Sequence, residues 1–204
     1  MKKSLIFIAF ITFFVGCSTS TPPNQWQYKS TTAFNSYKEN FLKQNLVVAQ
    51  ADLKRSIKHA KMSADLTQLA TIYLSECALK TAVSTSIQRC DNYKKIQPLV
   101  QNRSLDAYFN FLQKEETNVE LLPSEYRKSL FNIAKPTSFF VKASLMQESL
   151  TELEMNKVLN KASLYGYKQV VFFWLKKISK ITKNSIKRKN IMMKILILSS
   201  QDCK

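Results

Sequence analysis

Glycine is almost absent from this chain of 204 residues, in which only Gly16 and Gly166 occur. β-Hairpins commonly turn at Asn-Gly or Asp-Gly pairs, and neither pair is present. Glycine-rich loops that hold nucleotide phosphates are excluded by the same shortage. Since helices need few glycines, the composition favours an all-helical protein over a β-sheet protein.

Histidine is the next scarce residue, because His59 is the only one. A serine or cysteine hydrolase of the usual kind needs a histidine base, an acid that orients it and a sharply turned nucleophile. The segment from Lys54 to His59 offers neither of these partners. No Cys-x-x-Cys or His-x-x-x-His spacing occurs that would hold zinc. We therefore expect no catalytic residue of these kinds, no metal site and no cofactor.

The longest apolar run stands at the start of the chain. Lys2 and Lys3 precede the run from Leu5 to Val15, which only Thr12 interrupts. A run of about eleven residues is too short to cross a bilayer, which takes about 20, but it suits a secretory signal peptide. We therefore expect residues 1–16 to be removed and the mature chain to lie outside the cytoplasm.

The end of this run, Phe14-Val15-Gly16-Cys17, resembles the lipobox of bacterial lipoproteins, with Phe14 where leucine is usual. The resemblance implies that the Cys17 thiol carries the lipid, and that fatty acids such as palmitate hold the protein on a membrane. Ser18 follows in place of the aspartate that retains such proteins at the inner membrane, so the resemblance favours the outer membrane and a domain facing the periplasm. The alternative is an ordinary signal peptide that ends near a cysteine.

Small polar residues come next and cannot build a core. Residues 17–30 are therefore expected to form a lipidated N-terminus and a flexible tether. Residues 31–204 remain for a single helical domain, a length sufficient to bury a core. The last part of this domain, residues 155–201, is its basic C-terminal third.

Apolar residues in the domain recur at helical spacing. The clearest stripe runs along Leu66, Leu69, Ala70, Tyr73, Leu74, Cys77 and Ala78. Further helices are predicted from stripes at Phe34–Phe41, Ala49–Ala60, Leu105–Leu112, Tyr126–Ala134, Phe139–Leu153, Met155–Ala162 and Val170–Ile178. Pro136 is expected to end the stripe before it, and Ile191–Leu198 to form a buried last helix or, alternatively, a short strand.

These segments predict an all-α fold of antiparallel helical hairpins, arranged either as a compact bundle or as a repeat-like solenoid. The stretch from Tyr37 to Leu79 resembles tetratricopeptide-repeat proteins, with Asn45 to Ala49 at the turn into a second helix. The resemblance covers about a fifth of the chain, and the proline that ends such repeats is missing. It implies a concave surface that binds another protein.

Two local signals mark the ends of one helix. Thr151 and Glu154 fit a capping box, in which the hydroxyl accepts from an amide and the carboxylate reaches back. Gly166 stands where a left-handed residue is wanted after the last turn.

The cysteines suggest one disulfide. An exported protein can keep disulfides, and Ser84 to Ser86 make a turn between Cys77 and Cys90, so a bridge joining two neighbouring helices is expected. The alternative is that Cys77 is a buried thiol on an apolar face. Cys203 is left free or pairs between molecules.

Positive charge is concentrated near the C-terminus, since no acidic residue occurs between Met155 and Gln201. Such a face suits anionic lipid headgroups, lipopolysaccharide phosphates or an acidic partner protein, although a lysine-rich composition or a merely solvated face explains it as well. Nucleic acid fits the charge but not the expected compartment. The candidate anionic-surface residues are Lys176, Lys177, Lys180, Lys183, Lys187, Arg188 and Lys189.

One further resemblance is catalytic. Met146-Gln147-Glu148-Ser149 resembles the short glutamate-serine motif of lytic transglycosylases, and the segment after Gly166 is similar to their second motif. It implies that Glu148 acts as a general acid on peptidoglycan. The function favoured by the sequence is instead a non-enzymatic lipoprotein that docks another envelope protein or has a structural role in the envelope, with anionic-lipid surface binding as an alternative.

Overall fold

Ten α-helices make up most of residues 24–200, the part of the chain that the computed structural model describes. No strand occurs in this part, which confirms the predicted all-α class. The predicted signal peptide, the lipobox-like segment at Phe14–Cys17 and Cys203 lie outside the described residues. The helices are α1 (Gln25–Leu42), α2 (Leu46–Met62), α3 (Leu66–Thr81), α4 (Asp91–Val100), α5 (Arg103–Gln113), α6 (Ser124–Arg127), α7 (Pro136–Leu145), α8 (Glu152–Leu164), α9 (Lys168–Ile181) and α10 (Ser185–Ser200).

Helix α3 is the central element, because it packs against α1, α2, α4, α5 and α7. Its predicted stripe is confirmed, but burial extends around the helix and includes Ile72 and Leu79. A helix that is apolar on nearly all sides is stable only when neighbours cover it. The first residue of the stripe, Leu66, is the exception and is 45% exposed.

Helices α1 and α2 form an antiparallel hairpin. Ser30 Oγ donates to the Ser56 carbonyl at 2.9 Å, and Ser56 Oγ donates back to the Ser30 carbonyl at 2.9 Å. Both serines are fully buried, so these bonds form away from water. Nearer the turn, Asn40 Nδ2 donates to Asp52 Oδ2 at 2.9 Å, so positions later in α1 pair with positions earlier in α2, as antiparallel helices require.

Helix α8 begins and ends as predicted. Thr151 and Glu154 form the complete capping box, and Gly166 has a φ of 66°. The Gly166 N–H donates to the Ser163 carbonyl and the Tyr167 N–H to the Ala162 carbonyl, both at 3.0 Å, which is a Schellman motif. This turn carries the chain into α9, and α10 then packs on α9.

The prediction of one helix from Tyr126 to Ala134 is wrong. The short α6 and a 3₁₀ turn at Leu130–Asn132 occupy this segment instead, and Pro136 begins α7. Proline fits the first turn of a helix because its missing N–H has no partner there. The Lys142 ammonium donates to the Tyr126 carbonyl at 2.9 Å and to the Lys128 carbonyl at 2.6 Å. These bonds give hydrogen-bond donors to two carbonyls of the segment where the helix is interrupted.

Three other boundaries differ from the sequence predictions. The stripe from Phe139 to Leu153 is not one helix, since the capping box at Thr151 starts a new one. Helix α4, which has Pro98 inside it, was not predicted from any stripe. Helix α1 begins at Gln25, so residues 25–30 are not tether: the Asn24 side chain caps the helix by accepting from Trp26 N–H at 3.1 Å.

Candidate functional site

The basic residues at the end of the chain lie on the outer side of α9, in the connection to α10, and on α10 itself. Lys176 and Lys180 are exposed and stand one turn apart on α9, away from the buried Val170 and Ile178. Phe172 lies on the same side, with the Lys176 ammonium 4.0 Å from the centre of its ring. The cationic face with an aromatic residue that the sequence predicts is therefore present.

Three of the seven candidate cations form ion pairs or hydrogen bonds with other residues of the protein. Lys177 is paired with Glu148 at 2.5 Å, and only 12% of its side chain is exposed. Lys187 is paired with Glu152. Arg188 donates to the Thr182 carbonyl at 3.1 and 2.7 Å and so caps the end of α9.

The exposed cationic surface is consequently narrower than the sequence suggests. The acidic partners of the paired lysines, Glu148 and Glu152, come just before residues 155–201 in the sequence. The packing of α8 on α9 places these two carboxylates next to the basic residues. The candidates that remain turned toward solvent are Lys176, Lys180, Lys183 and Lys189.

Glu148 is poorly placed for general acid catalysis. Its carboxylate is exposed, and the hydrogen bond and charge of Lys177 hold its pKa below the ordinary value. A general acid near neutral pH needs the opposite shift. In the second transglycosylase-like segment, Gly166 is the helix cap, while Tyr167 is buried and donates to Glu39 Oε1 at 3.1 Å. The residues of both motif-like segments therefore have structural roles, in an ion pair, a helix cap and the core.

His59 stacks on Trp26, with 5.4 Å between ring centres. Burial, together with the positive charges of Lys29, Lys58 and Arg55, lowers the pKa of His59. Among residues 24–200 no group of three or more histidine, cysteine, aspartate or glutamate side chains could hold a metal ion.

Cys77 and Cys90 form the predicted disulfide, with their Cα atoms 5.3 Å apart. The bridge joins the last part of α3 to the residue before α4. Gln113 of α5 supports it, since its amide donates to the Gln88 carbonyl at 2.8 Å. The bond thus fastens the loop over residues 82–90 onto the central helix.

A groove that sequence patterns do not reveal lies between α1, α3, α5 and α7 and has a volume of about 290 Å³. We call it the tyrosine groove. Two tyrosines from different helices meet in its wall, since the hydroxyls of Tyr108 and Tyr126 are 2.7 Å apart. The lining residues used below are Phe34, Asn35, Lys38, Leu79, Tyr108, Glu125, Tyr126, Lys135 and Val141.

The two phenols of the tyrosine groove are neutral at physiological pH. Burial raises the pKa of Tyr126 to about 12, and burial also holds the pKa of Tyr108 well above its ordinary value. The two tyrosine rings are tilted against each other with 5.0 Å between their centres, and Phe111 contacts both, at 5.2 Å from Tyr126 and 6.4 Å from Tyr108. Tyr108 and Tyr126 each belong to a predicted apolar stripe, but their spacing gives no sign that the hydroxyls meet.

No helix within residues 24–200 has the length and apolar character needed to cross a membrane. Comparison of the chain with protein-family profiles, with curated proteins and with solved structures gave no match. What the chain does must therefore be argued from the surfaces described above.

Proposed function

We propose that this chain is a non-enzymatic lipoprotein, held by Cys17 on a membrane and facing the periplasm, whose helical body docks another envelope protein. The tyrosine groove is the observation that carries the docking part of the proposal. The outer membrane is the proposed location, on the basis of Ser18.

The composition of the groove suits an apolar side chain from a partner. Phe34, Leu79 and Val141 supply apolar wall, and the neutral Tyr108–Tyr126 pair adds hydroxyls that can hydrogen-bond without a buried charge. Pockets for whole small molecules usually measure about 300 to 1,000 Å³, so this groove stands at the lower limit. Its size favours a single anchoring side chain of the kind that dominates protein interfaces.

The charged lining of the groove indicates which partner would be accepted. Lys38 and Lys135 contribute two positive charges against one negative charge from Glu125. All three side chains are at least partly exposed, so they act on the approach and orientation of a partner more than on its affinity. We expect the partner to present an apolar anchor next to an acidic residue.

The expected compartment agrees with the chemistry of the body. The Cys77–Cys90 disulfide is of a kind that persists in oxidising compartments and is rare in the cytosol. Since α1 begins at Gln25, only about seven residues separate Cys17 from the body, and they can span at most about 25 Å. The proposed anchor would keep the tyrosine groove near the membrane surface.

Site-specific photo-crosslinking tests the docking proposal in cells. A photoreactive residue at Asn35, which is exposed and lines the groove, should capture one stoichiometric envelope protein. The matched control places it at Leu164, which is 87% exposed on α8. Reversing the lining charges, with Lys38→Glu and Lys135→Glu, should slow and reduce capture, because the new carboxylates repel the acidic residue of the partner. The same product from both positions, or no product, would refute docking through the groove.

The anchor has its own test, which is independent of the groove. Cys17→Ala should release the protein from membranes and abolish incorporation of labelled fatty acid. If the variant stays on the membrane as firmly as the wild type, the lipid attachment is wrong, whatever the crosslinking shows.

No observation favours the transglycosylase alternative. Its acid, Glu148, is exposed and has a lowered pKa, and the segment after Gly166 belongs to a helix cap and to the core. Release of peptidoglycan fragments by the purified protein, lost in Glu148→Gln, would nevertheless overturn the non-enzymatic proposal.

A further inference from the structure

Helix α10 carries an apolar face that nothing in the described chain covers. The buried residues of α10 are Ile191 and Ile195, which lie one turn apart, and the helix packs on α9. The sequence-based expectation of a buried last helix is therefore wrong, although the helix itself is present. Five apolar side chains on its other sides are between 48% and 73% exposed: Ile186, Met192, Met193, Leu196 and Ile197.

These five residues form one surface, which we call the α10 outer face. Met192 and Leu196 lie one turn apart, as do Met193 and Ile197, so the two pairs form adjacent rows. The row of Met193 and Ile197 lies opposite the buried Ile191, and the row of Met192 and Leu196 borders it. Ile186 extends the second row toward the start of the helix, so the outer face runs along most of the roughly 24 Å of α10.

The charges around the outer face are of one sign. Lys189 falls within the face, Lys194 lies at its edge, and Lys183 stands just before the helix, all three exposed. Lys187 is already paired with Glu152. No acidic residue occurs between residues 155 and 200, so nothing on α9 or α10 opposes a negatively charged surface.

We propose that the α10 outer face binds the surface of an anionic lipid bilayer, with the helix lying in the plane of the interface. Apolar side chains on one face of a lysine-bearing helix can enter the boundary between headgroups and acyl chains, while the lysines bind lipid phosphates. Charge complementarity selects this occupant, because an acidic bilayer matches a cationic apolar face along its whole length.

The proposal does not depend on the lipid at Cys17, but the two would reinforce each other. Two membrane contacts on one molecule strengthen each other, because the second forms within the same molecule once the first is made. A body tethered within about 25 Å of the bilayer meets the surface at a high effective concentration, so a weak contact by α10 would suffice.

Vesicle binding by the unanchored body tests the proposal. Every buried apolar residue that the structure describes lies between Ala33 and Ile195, so residues 24–204 contain the whole described core. This protein, carrying Cys203→Ser to prevent intermolecular disulfides, is mixed with vesicles of phosphatidylglycerol and phosphatidylcholine, or of phosphatidylcholine alone. Sedimentation measures the bound fraction, and circular dichroism confirms the helix content of each variant.

Two pairs of substitutions probe the face. Leu196→Gln with Ile197→Gln should weaken binding to the anionic vesicles by at least about tenfold. Lys183→Gln with Lys189→Gln should weaken it by about 25-fold at low salt, since each lysine near an anionic surface contributes about fivefold. Binding of the unsubstituted body should also fall when salt is raised from about 50 mM to about 500 mM.

Helix α2 supplies the matched controls, because it too has exposed apolar residues and lysines. Val47, which is 88% exposed, is replaced by glutamine together with Leu46. The charge control is Lys54→Gln with Lys58→Gln, both exposed. Each control pair should change binding by less than about twofold, because neither lies on α10.

Four results would overturn the proposal. Equal binding to both vesicle types, or no binding, would exclude recognition of anionic lipid. An equal loss in the Lys54 and Lys58 control would show that overall charge, and not the α10 face, attracts the bilayer. A concentration-dependent dimer that Leu196→Gln abolishes, without vesicle binding, would assign the face to a second copy of the chain.

Discussion

Five residues other than glycine hold left-handed backbone among residues 24–200, with φ between 46° and 72°. They are Gln44, Ala64, Cys90, Gln101 and Lys114. Most of them stand where a helix ends, a place that glycine commonly takes because it has no Cβ. A left-handed conformation costs other residues about 1 to 2 kcal/mol. The shortage of glycine thus leaves local strain at several helix ends.

This strain can be tested at Ala64, which follows α2, is exposed and has a φ of 56°. We expect Ala64→Gly to raise the free energy of unfolding by about 1 kcal/mol, because the strain is relieved. The measurement is urea denaturation followed by circular dichroism. The control is Ala51→Gly, at an exposed position inside α2, which should lower the same quantity by about 1 kcal/mol. A loss of stability at both positions would contradict the strain at residue 64.

Some single residues could be assigned from the sequence, and others could not. Thr151, Gly166 and the pair Cys77 and Cys90 were predicted because caps and disulfides depend on chemistry within a short stretch of chain. The tyrosine pair and the Lys177–Glu148 ion pair were not, because their partners are 18 and 29 residues apart in the chain. Only the packing of the helices brings such partners together.

Among the elements, the bridge between α3 and the start of α4 carries the clearest energetic consequence. Its ends are 13 residues apart, and closing a loop of this size stabilises a fold by roughly 3 kcal/mol in the chain-entropy model. We expect Cys77→Ala with Cys90→Ala to lower the free energy of unfolding by about that amount, measured in urea. The wild type with the disulfide reduced should match the double variant. An unchanged denaturation midpoint would show that the bridge constrains nothing.

Helices with a continuous apolar stripe could be predicted from the sequence. Stripes that run across more than one element were wrongly predicted as single helices. The spacing of Tyr126, Leu130 and Ile133 satisfies a helix, yet turns hold all three side chains in the core. Periodicity reports which residues are buried, and it cannot distinguish one helix from two turns whose side chains point the same way. Helix α4 was missed for the converse reason, since Tyr93 is the only residue of α4 that is buried.

At the scale of the whole molecule, contacts between α1 and α9 connect the first and last parts of the described structure. Tyr167, at the start of α9, donates to Glu39 of α1 at 3.1 Å, across 128 residues of sequence. Burial, followed by the charge of Glu39, raises the pKa of Tyr167 to about 12. The unfolded chain releases this proton near pH 10, so the stabilisation is complete below pH 10 and is lost as the pH rises toward 12.

Tyr167→Phe tests this connection. We expect it to lower the free energy of unfolding at pH 7 by about 1 kcal/mol, because Glu39 loses its donor. The loss of stability between pH 10 and 12, followed by urea denaturation at each pH, should be smaller than in the wild type. Tyr28→Phe, at a tyrosine of α1 that is 70% exposed, should leave the neutral-pH stability unchanged. Equal alkaline losses in wild type and Tyr167→Phe would contradict the assignment.

The reciprocal serine bonds between α1 and α2 also bear on how the body responds to mechanical load. A pull applied at residue 24 acts along α1, and Ser30 and Ser56 resist it through two bonds of 2.9 Å that must break together. Hydrogen bonds that carry a load at the same time share the force, whereas bonds that carry it one after another break one at a time at a lower force. If Cys17 carries the lipid as proposed, the first helix should therefore stay packed on α2 when thermal motion of the membrane pulls on the chain that precedes it.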